Sequence, residues 1–317
     1  MSTMAQINDQ KSIAFKHVLM ATDFSEASRR ALDFAIAIAR RHGSELSVVH
    51  AIPVEPYDRI PLCPPPPKLD RRRLEAEKQM KQLEEETGFK GVTHHLVLER
   101  GNVWDVLASE IQRDNIDLLI LGTRGRGGLK KLALGSVAEE VLHLASCPVL
   151  TVGPNVPPAG PGKSDFKRIL FATDFGPASN TAFPYALSLA ENYQAKLFLV
   201  HMVPPMPVAD LGPAAYGPSA YAAEEFTAWQ RTMRVESVRR LREMIPPKTE
   251  LAFEPEYLAG MDFLPEGILD MAAARSIDLI VMGANRTSTP RMAAHIPWAL
   301  THEVLCHAKC PVLTVCN

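Results

Sequence analysis

The chain of 317 residues carries 34 lysines and arginines against 36 aspartates and glutamates, for a net charge of -2, and 46% of its residues are hydrophobic. That length accommodates about two domains, each with its own core, and the near balance of charge leaves no global basic field to recruit nucleic acid or an anionic membrane. The opening MSTMAQINDQKSIAF lacks the apolar stretch of a secretion signal, no apolar run reaches transmembrane length, and the cysteines at 63, 147, 306, 310 and 316 have no framework spacing, so a cytoplasmic protein with reduced thiols is expected.

In chain order, short β-branched apolar runs alternate with longer stretches of helical spacing. The first half predicts strands near 17–22, 45–51, 92–99, 117–122 and 148–152, and helices near 26–42, 70–87, 103–114 and 136–146. After the second strand comes a proline-rich segment at 61–67, read as an exposed loop of polyproline character, with a crevice lid or a partner-docking segment as the sharper alternative. The mixed charge of Arg71-Arg72-Arg73-Leu74-Glu75-Ala76-Glu77-Lys78 marks a solvated helix face. His94 and His95 alternate across the third strand, so they cannot both face one metal.

The pattern then repeats. The run at 17–24, HVLMATDF, returns 151 residues later as RILFATDF at 168–175; the strand at 116–122 returns after 161 residues as IDLIVMG at 277–283; and Cys147-Pro148-Val149-Leu150-Thr151-Val152 returns after 163 residues at 310–315. Two homologous domains are therefore expected at 1–153 and 167–317, joined by a Pro/Gly linker at 154–166. Strands alternating with helices imply right-handed crossovers and a parallel sheet covered on both faces. The expected fold class is α/β, with two tandem doubly wound five-stranded parallel-sheet domains. A second proline-rich stretch, 204–218, follows the second strand of the second half.

The stretch GTRGRGGLKKLALGS at 122–136 follows the fourth strand. Gly122, Gly125, Gly127 and Gly128 permit close backbone approach and an anion nest. Gly135-Ser136 opens a helix with Ser136 as the expected N-cap, and a helix N-terminus suits a phosphate. Arg124, Arg126, Lys130 and Lys131 add positive charge. The plainer reading is a glycine-rich turn that only connects strand to helix. The pattern is neither a GxxxxGK[ST] P-loop nor a dinucleotide fingerprint.

The spacing Gly122-x2-Gly125-x9-Gly135-Ser136 resembles the ATP-binding signature of the universal stress protein family. Ala21-Thr22-Asp23-Phe24-Ser25, the His50-Ala51 step and Cys147-Pro148-Val149-Leu150 are similar to that family as well. The resemblance implies an adenine nucleotide alpha hydrolase-like fold of strand order 3-2-1-4-5. It implies ATP, optionally with Mg or Mn bound through the phosphates. Ala21, Thr22, Asp23 and the backbone around Ala51 would hold adenine and ribose, and Gly122, Arg124, Gly125, Arg126, Gly127, Gly135, Ser136 and Val137 would surround the phosphates. It further implies pairing of the last strands of the two copies as an intramolecular pseudo-dimer, a homo-oligomer, and a stress-response role through an unidentified protein partner. No catalytic base or nucleophile motif stands out, so at most weak ATP hydrolysis is expected.

The second copy departs from the signature. Arg286 stands where the second glycine should be, and His295-Ile296-Pro297-Trp298-Ala299 replaces the Gly-Ser pair. The expectation is one nucleotide site per chain, with the second half degenerate. A rival reading is a scaffold acting through the second half, whose insertion includes Ala214-Ala215-Tyr216-Gly217-Pro218; a third is a true ATPase. His302, Cys306, His307 and Cys310 have the spacing of a metal cluster, although Cys310 repeats Cys147 and reads more simply as a buried thiol.

Overall fold

The computed structural model describes residues 13–54, 67–123, 134–158, 165–203, 220–261, 264–284 and 295–316. The first half runs β1 (His17–Ala21), α1 (Glu26–His42), β2 (Glu45–Ile52), α2 (Pro67–Thr87), β3 (Thr93–Arg100), α3 (Val103–Arg113), β4 (Leu118–Gly122), α4 (Ser136–Leu144) and β5 (Val149–Val152). The second runs β6 (Arg168–Ala172), α5 (Pro177–Tyr193), β7 (Lys196–Met202), α6 (Ala220–Met244), β8 (Glu256–Gly260), α7 (Leu264–Ala274), β9 (Leu279–Ala284), α8 (His295–His307) and β10 (Val312–Cys316).

Each half is a parallel sheet of order 3-2-1-4-5, and the two sheets fuse into one of ten strands, β3-β2-β1-β4-β5-β10-β9-β6-β7-β8. The joint is antiparallel, pairing Val312 with Thr151, Leu313 with Leu150 and Thr314 with Val149. An apolar last strand left at an edge would invite pairing with another chain; here each half covers the edge of the other.

The strand pleat explains the layers. Alternate β1 residues face opposite ways, Val18 and Met20 into one buried cluster and Leu19 into the other, so helices are required on both faces. On α1 the buried Ala31, Leu32, Ala35 and Ala39 recur at helical spacing, and the helix is bounded by a Ser25 N-cap and by Gly43 in the left-handed region at φ 66°. Both clusters cross the joint, one containing Leu150, Val152, Leu313 and Val315 together. Across the same seam Phe34 stacks on Phe166 and Phe15 on Tyr185, and the Arg41 guanidinium lies over Tyr193.

Two expectations change in detail. Helix α2 begins at Pro67, inside the segment read as a polyproline loop, because proline's fixed φ and missing N–H suit a first helical residue. Residues 55–66 and 204–218 of the two proline-rich stretches lie outside the described residues. The start of the linker is docked: Val156 is buried, and Arg30 Nη1 donates to the carbonyls of Pro154 (2.9 Å) and Val156 (3.2 Å).

Candidate functional site

In a doubly wound sheet the ligand crevice opens beyond the carboxyl ends of the strands where the winding reverses, here between β1 and β4. Ala21 pairs with Leu121, which sets Thr22 and Asp23 beside Gly122 and Thr123. The Thr22 N–H donates to Val49 O (2.9 Å), and His50 Nδ1 bonds Thr22 O at 2.7 Å with its ring 4.4 Å from that of Phe24. Phe24 adopts φ 61°, and its N–H donates to Thr22 Oγ1. That sharp turn lets Asp23 Oδ1 accept from Ser25 N–H at 3.0 Å, with the Asp23 side chain half-buried at the crevice lip. Ala51, at the end of β2, is buried and carries only a methyl group.

Gly122 has a steric reason to be glycine. A Cβ there would stand 2.9 Å from the Ala27 carbonyl carbon, so α1 crosses this close to the strand only where no side chain intervenes. Beyond it, Gly135 N–H donates to Thr123 O at 2.8 Å. That bond sets Gly135, Ser136 and Val137 beside the end of β4 at Gly122 and Thr123. Arg124, Gly125, Arg126 and Gly127 lie outside the described residues.

The helix start corrects one expectation. Gly135, extended at φ -68° and ψ 146°, is the N-cap of α4, and Ser136 is its first helical residue, exposed. The reason is that Gly135 O already accepts the first helical bond, from Glu139 N–H at 2.9 Å. No side chain caps α4, whereas Asn102 Oδ1 caps α3 and Ser25 caps α1. A helix leaves its first N–H groups without an intrahelical partner, so with glycine as the cap the α4 N-terminus can receive an anion, and the Ser136 hydroxyl stands on the same turn. These residues fit a phosphate chain, with the small Ala51 leaving room at the opposite end.

In the second half the β1 turn is retained and the cradle is altered. Thr173, Phe175 and His201 repeat the arrangement of Thr22, Phe24 and His50, with His201 Nδ1 2.8 Å from Thr173 O and Phe175 at φ 61°. Asp174 Oδ1 accepts from Ser179 Oγ (2.6 Å) and Gly176 N–H (2.8 Å). Burial pushes its pKa up, but these hydrogen bonds outweigh that and the carboxyl titrates below its usual range. Burial, reinforced by Arg240, depresses His201. Arg240 lies 3.9 Å over the Phe175 ring. Where the first half has Ala51 the second has Met202, so close to Gly260 that a Cβ on that glycine would lie 2.6 Å from the thioether. Helix α8 starts at His295, four residues before Ala299, the counterpart of Ser136. The N–H groups corresponding to those at the α4 start are consequently inside a helix. Arg286 and the Trp298 side chain lie outside the described residues.

Of the suspected metal ligands, Cys306 Sγ is 3.9 Å from both ring nitrogens of His302 and Cys310 is buried; among the described residues no group of three or more His, Cys, Asp or Glu could hold a metal ion. His94 and His95 do face apart, towards Glu84 and Glu45 respectively. Among the described residues, no helix is long and apolar enough to cross a membrane. Sequence reasoning missed Thr123, whose carbonyl closes the loop; nothing in its residue type signals that role. The structural part played by His50 was not read from the sequence either, although the recurrence of Val49-His50 as Val200-His201 is a signal that could have found it.

A family model described as Universal stress protein family matches residues 14–153 and 165–315. The chain is 34% identical over 146 residues to Universal stress protein MJ0531 of Methanocaldococcus jannaschii, covering 44% of this chain and 82% of that protein. It is 36% identical over 149 residues to Universal stress protein A homolog 1 of Coxiella burnetii, covering 44% and 96%. Among solved structures, a universal stress protein from Archaeoglobus fulgidus superposes with a TM-score of 0.62 at 19% identity over 94% of this chain and 97% of that one, a likeness of fold.

Proposed function

The chain belongs to the universal stress protein family, as two copies of its domain in tandem, and from that premise we propose that the crevice of the first half binds ATP as a regulatory ligand in a cytoplasmic stress response. The observation that carries this reading is the 2.8 Å bond from Gly135 N–H to Thr123 O, which sets an uncapped helix N-terminus beside the glycine end of β4. Gly122, Gly135, Ser136 and Val137 would surround the phosphates together with Arg124, Gly125, Arg126 and Gly127 of the loop. Ala21, Thr22, Asp23 and Ala51 would hold the ribose and adenine, and a divalent Mg or Mn would be bound through phosphate oxygens. The nucleotide supplies a charged, displaceable body whose presence biases the loop's conformation, and a partner protein reads that conformation. The domains run 1–153 and 167–317 in this reading, and further self-association would extend the internal pseudo-dimer.

Calorimetry with ATP and magnesium tests it on the intact chain and on Gly135→Val, whose side chain would stand between the helix N-terminus and the phosphates. Binding near one site per chain, abolished by the substitution, is expected. Two equivalent sites would overturn the assignment to the first half, and steady phosphate release at a rate typical of enzymes would overturn the regulatory role.

A further inference from the structure

The antiparallel joint between β5 and β10 has a cysteine two residues beyond its last pair on each strand's side, Cys147 before Val149 and Cys316 after Thr314. Its last pair is Thr314 with Val149; carried two residues further, past Pro148, the same register would set Cys316 opposite Cys147. Parity puts both on one side of the sheet: Val149 and Cys147 lie in the cluster that also contains Val312, and Cys316 Sγ donates to Leu142 O of α4 at 3.3 Å on that side. Opposed residues of an antiparallel pair have Cα atoms about 4.5–5.5 Å apart, inside the window of about 4.4–6.8 Å that a disulfide spans. At the other end of the joint the same register sets Cys310 opposite Gly153, where no second sulfur exists. The pseudo-symmetry is close there too, since a Cβ on Gly153 would lie 3.4 Å from Leu305 O, and Leu305 is the repeat counterpart of Leu142. Cys316 thus replaces a glycine and adds a thiol at one end of the seam only.

We infer that Cys147 and Cys316 form a reversible disulfide under peroxide, a modification site that staples the last strand of one half to that of the other. Cys316 is partly exposed and meets the oxidant first, whereas Cys147 is buried. The Cys316 thiolate attacks the peroxide O–O bond, forming a sulfenic acid and releasing water once the leaving oxygen takes up a proton. Cys147 Sγ then displaces the sulfenic oxygen as a second water and the S–S bond forms. Two thiol hydrogens and two electrons pass to hydrogen peroxide, which leaves as two waters; a dithiol reductant reverses the reaction. Burial pushes the Cys147 thiol up to about 12, so the second step is limited by its thiolate fraction and speeds up about tenfold per pH unit near neutrality. The staple closes a loop around the whole second half and depends on the seam, not on the nucleotide.

The test treats the reduced full-length protein with hydrogen peroxide, alkylates the remaining thiols and maps tryptic peptides without reduction. Trypsin leaves Cys310 and Cys316 on one peptide, behind Lys309, and Cys147 on the peptide between Lys131 and Lys163, so variants assign the sulfur. A linked pair of these peptides is expected in the wild type and in Cys310→Ala, with loss of the link in Cys316→Ala and its disappearance on reduction. Cys147 recovered fully alkylated after Cys316 has been oxidised, a link that survives in Cys316→Ala, or pairing of Cys147 with Cys63 instead would each overturn the proposal.

Discussion

The two halves share a strand order, a turn after the first strand and a His-to-Thr bond beneath it, yet they differ where a ligand would lie. In the first half α4 starts at Ser136 behind a glycine cap and Ala51 stands next to last in β2; in the second α8 starts one turn earlier and Met202, its counterpart, ends β7. The retained features hold the sheet together and are enforced by core alternation in both copies. The altered features lie at the carboxyl ends of the strands: a thioether packed against Gly260 where the first half has a methyl group, and an added helical turn before the counterpart of Ser136. The comparison teaches that fold and site are separable here: both copies keep the scaffold while the residues at the strand ends and the start of the last helix differ.

The largest effects should come from the glycines where helix crosses strand. A Cβ on Gly283 would stand 2.3 Å from the Ala178 carbonyl carbon, against 2.9 Å for the corresponding contact at Gly122. Overpacking against backbone, which cannot rotate away, costs about 1–3 kcal/mol. Gly283→Ala should therefore lie near about 3 kcal/mol and Gly122→Ala nearer about 1 kcal/mol in denaturant unfolding. Equal costs would mean that the two crossings are equally tight in solution and that the halves differ only in their crevices.

Next comes Met202→Ala, which asks whether closure by one side chain is what distinguishes the second half. Removing a buried methionine costs about 2–5 kcal/mol, less where the site collapses; Met202 adjoins the flexible Met271, whose methyl would lie 2.7 Å from a Cβ on Gly260, so about 2 kcal/mol is expected. No second ATP site should accompany the cavity, because the extra turn of α8 remains. A stoichiometry rising towards two sites in calorimetry would show that Met202 alone separates the halves. Gly135→Val in the first half should lower ATP affinity by at least about tenfold, or about 1.4 kcal/mol, while leaving the melting temperature of the unliganded chain nearly unchanged.

Much of this was legible in the sequence, for reasons that particular residues show. The periodicity of α1 and the alternation of β1 are core properties, and cores dictate residue type, so their bounds are close to the predicted 26–42 and 17–22. That the last strands need covering was readable because a run such as Val149-Leu150-Thr151-Val152 is too apolar to stand at an edge; that they pair with each other was implied by the family resemblance. The cap of α4 was misread at Ser136, since serine is the commoner cap and only the Glu139-to-Gly135 bond decides between neighbours. The docking of Val156 was invisible because a single apolar residue among prolines has no period. The pairing proposed for Cys147 and Cys316 follows from the strand register, which no local pattern encodes.

The smallest effect tests how the two first-strand turns end. Ser25 Oγ accepts from Ser28 N–H at 3.2 Å and caps α1, while Ser28 Oγ donates to Ser25 O at 2.9 Å. In the second half Gly176 is the cap of α5 and has no side chain to offer, and Ser179, the counterpart of Ser28, donates to Asp174 instead. Ser25→Ala should cost about 1 kcal/mol, and Ser25→Gly only a few tenths, roughly 0.3 kcal/mol. The reverse change, Gly176→Ser, supplies a cap oxygen but sets a Cβ 3.0 Å from both Asp174 carboxylate oxygens, which must then loosen their bond to Ser179. Gain and loss are of similar size, so unfolding of Gly176→Ser should shift by less than about 0.5 kcal/mol. A clear stabilisation of about 1 kcal/mol would mean that Asp174 yields at no cost, and that its carboxylate is not tied to the turn as the Ser179 bond indicates.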